Sequence, residues 1–125
     1  MKTIETQYSV RDGGHYVPAV EAGGVYYISG QLSFDPESGR IPEGGIRPET
    51  EQALKKLETV LHAAGLEKEH VALCRLYIPD VKYWPEVNEV YGRFFGKHRP
   101  ARVVVPSNSL YGGCLIEIEA VASRQ

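Results

Sequence analysis

The hydrophobic positions of this chain follow two periods, one typical of strands and one typical of helices. Residues 17–22, 25–29, 71–78, 102–105 and 115–122 are short runs rich in valine, isoleucine and other apolar residues, separated by glycine, proline and polar segments. These runs predict five strands. Gly23 and Gly24 stand alone between the first two runs, which indicates a hairpin with a two-residue turn.

Two longer segments repeat their apolar residues every three or four positions, as one face of a helix does. The first opens near Pro48, which suits a first helical turn, and ends at Gly65. The second runs from about residue 81 to residue 95 and ends at Gly96. Residues 34–48, between the second strand and the first helix, form a long loop rich in proline and glycine. The predicted order is β-β-α-β-α-β-β, a mixed sheet of an α+β fold.

The predicted strands are apolar on both faces. Two helices are too few to cover both faces of a sheet, so we expect both helices to pack on one face and to join parallel strands. Yet Val25 and Tyr27 alternate with Tyr26 and Ile28, and Val104 lies between two other valines. A sheet with one solvated face usually alternates with polar residues. We therefore expect another subunit to cover the second face.

Composition limits the classes of function that fit this chain. Its 125 residues have the size of one domain, and 42% hydrophobic residues are ordinary for a globular protein. A net charge of −2 provides no basic field for nucleic acid, and the basic cluster Lys97-His98-Arg99 follows a helix end, where cations suit the dipole. No run suits a membrane span or a signal peptide, so we expect a cytoplasmic protein. Cys74 and Cys114 lie in apolar runs, and we expect buried free thiols.

Arg102 and Glu117 are the candidate chemical groups. Arg102 stands at the start of an apolar strand, and Glu117 and Glu119 share one face of the last strand. Arginine can hold a carboxylate through a planar fork of donors, and a glutamate can handle protons or orient a water. The alternative is that Arg102 is a surface arginine paired with an acid and that Glu117 and Glu119 form a solvated strand face. A contact of one of these glutamates with Arg102 would relieve the repulsion between them. In a partly dry interface, the pKa of Glu117 should rise.

Sequence motifs of other enzyme classes are absent. The chain has no Gly-x-Ser-x-Gly elbow, no Walker loop and no dinucleotide fingerprint. Its histidines and cysteines lack the spacing of a metal site, so we expect neither a metal nor an organic cofactor. Ser29-Gly30-Gln31, at a strand end, fits either a simple turn or the lining of a cleft, and Asn88 fits a solvated helix residue.

Several separated motifs resemble the RidA/YjgF family, also known as the endoribonuclease L-PSP family. The resemblance covers about residues 16–122. Its anchors are the segment from Val25 to Gln31, the helical segment Val87-Asn88-Glu89-Val90-Tyr91-x-x-Phe94-Phe95, and Pro100-Ala101-Arg102, which is followed at the expected distance by Ile116-Glu117-Ile118-Glu119-Ala120.

The resemblance implies a single chorismate-mutase-like domain, residues 1–125, in a homotrimer whose sheets line a central barrel with clefts between subunits. It implies hydrolysis of reactive 2-imino acids such as 2-iminopropanoate, the tautomers of enamines such as 2-aminoacrylate, to 2-keto acids and ammonia. It assigns Arg102 to the substrate carboxylate and Glu117 to the attacking water. Other residues fall on positions that line the substrate site in the family: Tyr16, Ser29, Gly30, Asn88 and Val104.

The chain departs from the family pattern at three places. It has His15-Tyr16-Val17-Pro18 where the family often has Pro-Tyr-Ser-Gln, and Val104 where enzymes of the type group carry cysteine. Asn108 replaces a residue that is usually small or basic. A backbone group at position 104 can still contact a substrate, but the chemistry of the wall is changed.

Three functions therefore stay open on the sequence. The first is a cofactor-free imine deaminase. The second is a module that binds small carboxylates without turnover, for which Arg102 suffices, whereas turnover requires Glu117 as well. The third, a ribonuclease or translation inhibitor, is disfavoured because the chain has no basic stripe.

Overall fold

The structure, a computed structural model, describes residues 1–8 and 13–125. In this part of the chain six strands form one mixed sheet in the order β1-β2-β3-β6-β4-β5. The elements are β1 (Lys2–Ile4), β2 (Ala19–Ala22), β3 (Val25–Leu32), α1 (Ile46–Ala63), β4 (Val71–Ile78), α2 (Trp84–Phe95), β5 (Ala101–Pro106) and β6 (Glu117–Ser123). A short 3₁₀ turn, Val81–Tyr83, leads into α2.

The predicted order of elements is confirmed, with one strand added in front. The additional strand β1 pairs antiparallel with β2 at the sheet edge and buries Ile4. A three-residue strand with one buried residue has too short a pattern for the sequence to indicate it. Helix α1 begins at Ile46, two residues before Pro48. Proline is tolerated there because the first backbone N–H groups of a helix have no intrahelical partner.

The β2–β3 hairpin turns at the predicted glycine pair. Ala22 and Val25 face each other across the turn, and Gly23 and Gly24 both have positive φ, 60° and 84°. A two-residue turn with positive φ at both positions matches the right-handed twist of the flanking strands. The two glycines between the apolar runs were therefore sufficient to predict this hairpin.

Both helices lie on one face of the sheet and connect parallel strands. β3 and β4 each run antiparallel to β6, so they are parallel to each other, and β5 runs parallel to β4. Apolar residues of α1 and α2 form one buried core with the inner side chains of the strands. On β6 these inner residues are Ile118, Ala120 and Ala122.

The other face of the sheet carries apolar side chains that no described helix covers. Tyr27 of β3 is 49% exposed and Val103 of β5 is 46% exposed. Val121, which pairs with Tyr27, is only partly buried. We call this surface the open face. Its cover by another subunit stays a prediction.

Cys74 and Cys114 are buried and free, as expected. Burial raises the pKa of the Cys74 thiol to about 11, so that it is protonated at neutral pH and is not a nucleophile. In the described part of the chain, no helix is long and apolar enough to cross a membrane.

Candidate functional site

A β-bulge shapes the end of β3. Two residues of β3, Ser29 and Gly30, stand where β6 has only Glu119. Such a bulge bends its strand and re-aims the neighbouring side chains. The bulge depends on the pairing of β3 with β6, which joins segments distant in sequence.

Ser29 anchors this bulge to the segment before β2. Its backbone N–H donates to the Pro18 carbonyl at 3.0 Å, and its hydroxyl donates to the Val17 carbonyl at 2.6 Å. The Gln31 side-chain amide donates to the Ser29 carbonyl at 3.0 Å. The Ser29 hydroxyl thus holds the backbone that leads away from Tyr16.

Glu117, the first residue of β6, extends its side chain across Gly30. A Cβ atom on Gly30 would lie 2.5 Å from Glu117 Oε2 and 2.9 Å from its Cδ. Gly30 does not have a positive φ, so space for the carboxyl group, and not backbone conformation, requires glycine here. None of the residues that the structure describes forms a hydrogen bond or an ion pair with the Glu117 carboxylate.

Glu117 lines a cavity of about 540 Å³, here called the glutamate cleft. The cleft lies beside the bulge and is also lined by Tyr16, Ser29, Gly30 and Tyr111. Tyr16 is 46% exposed and Tyr111 is 67% exposed, so two aromatic rings project from its rim. Predicted site residues Tyr16, Ser29 and Gly30 therefore do lie with Glu117.

The two glutamates of β6 differ in their electrostatic surroundings. Burial and the charge of Glu119 raise the pKa of Glu117, as expected, and Lys56 opposes this shift. Glu119 instead accepts a hydrogen bond from the Tyr77 hydroxyl and lies 3.9 Å from Arg75 Nη1. Neither glutamate pairs with Arg102 within the chain, so Tyr77 and Arg75, and not Arg102, engage Glu119.

Arg102, near the start of β5, is held by one face of α2. Its Nη1 donates to Asn88 Oδ1 at 3.0 Å. Its guanidinium lies 4.8 Å from the centre of the Tyr91 ring and 5.5 Å from that of Trp84. Aromatic faces attract cations, so these contacts orient the guanidinium. Asn88 is thus a partner of Arg102 and not merely a solvated helix residue.

Arg102 lines a second cavity of about 650 Å³, here called the arginine cleft. Asn88, Tyr91, His98 and Arg99 contribute to its lining. Val104 lines neither cleft, because its side chain packs against the core beside Leu76. A contact of substrate with position 104 would therefore have to use the backbone.

The arginine and glutamate clefts belong to opposite faces of the sheet. Arg102 pairs in register with Cys74, which is buried under the helices. Glu117 pairs with Tyr77, on the open face, and β4 separates β5 from β6. A single chain therefore contains two separate clefts, one with Arg102 and one with Glu117, and does not bring these two residues together.

Trp84, Tyr91 and Tyr111 are candidate site residues that the sequence analysis missed: the first two contact Arg102, and Tyr111 lines the glutamate cleft. Trp84 and Tyr91 belong to the apolar stripe of α2, and that stripe indicated core packing. A signal was present, because Trp84, Asn88 and Tyr91 stand at helical spacing i, i+4 and i+7 and so share one face. An amide between two aromatics on such a face indicates a contact with a polar group.

Residues 1–8 and 13–125 contain no group of three or more histidine, cysteine, aspartate or glutamate residues that could hold a metal ion.

Comparison with known proteins places the chain in a family. The family model described as Endoribonuclease L-PSP matches residues 7–124. The chain belongs to the RidA/YjgF family. Members of this family that resemble it include a RutC family protein of Pyrococcus horikoshii, 36% identical over 99% of this chain and 98% of that protein. The 2-iminobutanoate/2-iminopropanoate deaminase of Rattus norvegicus is 37% identical over 97% of this chain and 88% of that protein.

A solved structure of the RidA/YjgF family has the same fold. The YjgF gene product of E. coli superposes with a TM-score of 0.92, is 31% identical, and both chains are covered to 100%. The mixed sheet with two helices is therefore the chorismate-mutase-like α+β fold that the resemblance to the family implied.

Proposed function

We propose that this RidA/YjgF protein hydrolyses 2-imino acids, such as 2-iminopropanoate, to 2-keto acids and ammonia, in sites formed between subunits of a homotrimer. The observation that carries the proposal is the separation of Arg102 from Glu117 on opposite faces of the sheet. Each half-site has one of the two groups that the reaction requires. A neighbouring subunit supplies the other.

The open face supports a subunit contact at this place. Tyr27 and Val103 expose apolar surface there, and the glutamate cleft opens beside them. A closed ring repeats one head-to-tail interface, in which the arginine cleft of one subunit meets the glutamate cleft of the next. Three copies then form three equivalent sites around a barrel of sheets.

Arg102 binds the substrate carboxylate in this proposal. Its guanidinium is oriented by Asn88 and Tyr91 before any ligand arrives. Orientation in advance reduces the conformational entropy that binding has to overcome. A planar fork of donors also fixes the plane of the carboxylate, and with it the position of the imine carbon.

Glu117 activates the water. The imine carbon is already electrophilic, so a weak base suffices. Glu117 accepts a proton from water as the C–O bond forms, and the imine nitrogen takes a proton from solvent, which gives a neutral carbinolamine. The Glu117 proton then passes to the amine nitrogen. As the C–N bond breaks, the hydroxyl proton returns through Glu117 to solvent, so one keto acid and one ammonia form for each water consumed. The raised pKa of Glu117, which results from burial and from the charge of Glu119, suits a group that both accepts and donates a proton.

The family comparison supports the same reaction. The rat relative, 37% identical, is named for deamination of 2-iminobutanoate and 2-iminopropanoate. No step of the proposed reaction requires a metal or an organic cofactor. Protein treated with a chelator should therefore keep its full activity.

A second candidate function is binding of small carboxylates without turnover. The observation that favours it is that Arg102 is fully oriented within one chain, without Glu117. A ligand could use this half-site alone. The two candidates differ in the requirement for Glu117.

Ammonia release from freshly generated 2-iminopropanoate tests the proposed function. Wild type should accelerate release, and Arg102→Ala and Glu117→Gln should each abolish most of the acceleration. Arg93→Ala is the matched control, because Arg93 pairs with Glu89 on the exposed side of α2. Carboxylate binding without acceleration by wild type would select the binding function.

A further inference from the structure

The function proposed above assigns no role to the basic cluster Lys97-His98-Arg99, although His98 and Arg99 line the arginine cleft. Its loop is fastened to the fold, because His98 Nε2 lies 2.7 Å from the Val71 carbonyl oxygen at the start of β4. The His98 ring thus contacts β4 and not the carbonyls at the end of α2. This fastening leaves Arg99 on the wall of the arginine cleft, while Lys97 does not line it.

The arginine cleft has an excess of positive charge. Arg99 and Arg102 both line it, and none of its described lining residues is acidic. The nearby acids of α2, Glu86 and Glu89, instead contact Arg47 at 3.1 and 3.0 Å. No described residue forms a hydrogen bond or an ion pair with the Arg99 side chain.

The spacing of the two arginines limits what this charge can recognise. Three residues of extended chain span at most about 11 Å, so Arg99 and Arg102 lie within reach of the two ends of one small molecule. Asn88, Tyr91 and Trp84 hold the Arg102 guanidinium, whereas the exposed Arg99 can adjust to a ligand. A ligand with two anionic groups would neutralise both.

We propose that Arg99 is a specificity-determining residue that binds a second, side-chain carboxylate, so that 2-imino dicarboxylates of four or five carbons are preferred. The inference rests on the proposed function, because it assigns the carboxylate next to the imine to Arg102. A guanidinium matches the planar geometry of a carboxylate. Monocarboxylates bind through Arg102 alone and gain nothing from Arg99.

Two keto acids of equal chain length test the preference without turnover. 2-Oxoglutarate and 2-oxopentanoate differ only in a terminal carboxylate or methyl group, and their dissociation constants are measured by titration calorimetry. Wild type should bind 2-oxoglutarate at least about fivefold more tightly, as expected for one exposed ion pair. Arg99→Gln should remove this preference by weakening 2-oxoglutarate binding about fivefold or more, and it should weaken 2-oxopentanoate binding far less. Lys97→Gln, in the same loop but outside the cleft, should keep the preference.

Equal affinity of wild type for the two ligands would overturn the inference. So would an Arg99→Gln variant that weakens both ligands alike, or a folded wild type that binds neither. Turnover of the corresponding imino acids, generated from glutamate and norvaline by amino-acid oxidases, separates this inference from the proposed function. A binding preference without hydrolysis would contradict only the proposed function, and hydrolysis without either preference would contradict only the role of Arg99.

Discussion

Arg102 and Glu117 lie on opposite faces of one sheet, with β4 between their strands. Arg102 pairs with Cys74 on the face that the helices cover, and Glu117 pairs with Tyr77 on the open face. Side chains on opposite faces of a sheet cannot converge on one small ligand. A reaction that needs both residues must therefore combine two copies of the chain.

Mixing two inactive variants should restore activity. Arg102→Ala and Glu117→Gln each lose one half of every site, but a mixed trimer contains some sites with both intact halves. Random mixing in equal amounts leaves about a quarter of the sites complete, because each interface draws its two halves independently. Ammonia release from 2-iminopropanoate, measured after dissociation and reassociation, should recover to about that fraction of wild type.

The matched control for this complementation is a second mixture, in which the Glu117→Gln partner is exchanged for an Arg102→Ala/Glu117→Gln double variant. A mixture of Arg102→Ala with the double variant contains no intact Arg102 and should stay inactive. Mass spectrometry that shows mixed trimers without recovered activity would contradict a site shared between subunits.

Glu117→Gln should bind product but fail to turn over substrate. The amide keeps the size of the side chain and cannot accept and return a proton, so kcat should fall by about 10²–10⁴-fold. Affinity for 2-oxobutanoate should stay within about twofold of wild type, because Arg102 still holds the carboxylate. Glu119→Gln should lower kcat far less, because Glu119 is engaged by Tyr77 and Arg75. Equal losses in the two variants would show that Glu117 has no special role.

The acid limb of the kcat–pH profile should report the Glu117 carboxylate. Glu117 must be ionised to accept a proton, so activity should fall as pH decreases through its raised pKa. Burial and the charge of Glu119 raise the pKa of Glu117, and the charge of Lys56 lowers it. Lys56 extends from α1 and donates at 2.7 Å to the carbonyl of Leu32, the residue of β3 that pairs with Glu117.

Lys56→Met should therefore move the acid limb to higher pH, with little change at high pH, where Glu117 is ionised in both proteins. Lys55→Met removes the same charge from the adjacent, exposed position and is the control. A limb that moves to lower pH, or that moves equally in both variants, would exclude control of Glu117 by Lys56.

Gly30→Ala should impair turnover without unfolding the protein. The added Cβ would lie 2.5 Å from Glu117 Oε2, so the carboxyl group must move, whereas the backbone of Gly30 permits alanine. We expect a fall in kcat of about tenfold or more, because small displacements of catalytic groups are costly. If the effect passes through Glu117, Gly30→Ala should cost almost nothing further in a Glu117→Gln background. Additive losses in the double variant would point to a different cause.

Arg102→Lys should raise KM, because lysine keeps the charge but loses the planar fork. Complete removal in Arg102→Ala should weaken carboxylate binding by about 2–5 kcal/mol if the contact is desolvated between subunits. Asn88→Ala should have a smaller effect in the same direction, since Asn88 only orients the guanidinium. Steady-state kinetics measure all three, and an Asn88→Ala effect as large as that of Arg102→Ala would mean that Asn88 itself contacts the substrate.

The sequence by itself determined most of the secondary structure. Strand β4 spans residues 71–78, as predicted, because its apolar run is long enough to dominate local preferences. Gly23 and Gly24 determined the hairpin, since a two-residue turn requires positive φ and little else. Gly65 and Gly96, both with positive φ, follow α1 and α2 as predicted. Each of these features depends on residues close together in the chain.

The sequence also indicated both candidate groups, Arg102 and Glu117, but not their separation on opposite faces of the sheet. The alternation in β6 correctly placed Glu117 and Glu119 on one face, because the faces of a single strand follow from its period of two. The relation of that face to Arg102 depends on the register of β5 and β6 against β4, which long-range pairing sets. The bulge at Ser29 and Gly30 arises in the same way, from the pairing of β3 with β6. Only the tertiary structure decided these features, because hydrogen bonds between strands distant in sequence determine which faces coincide.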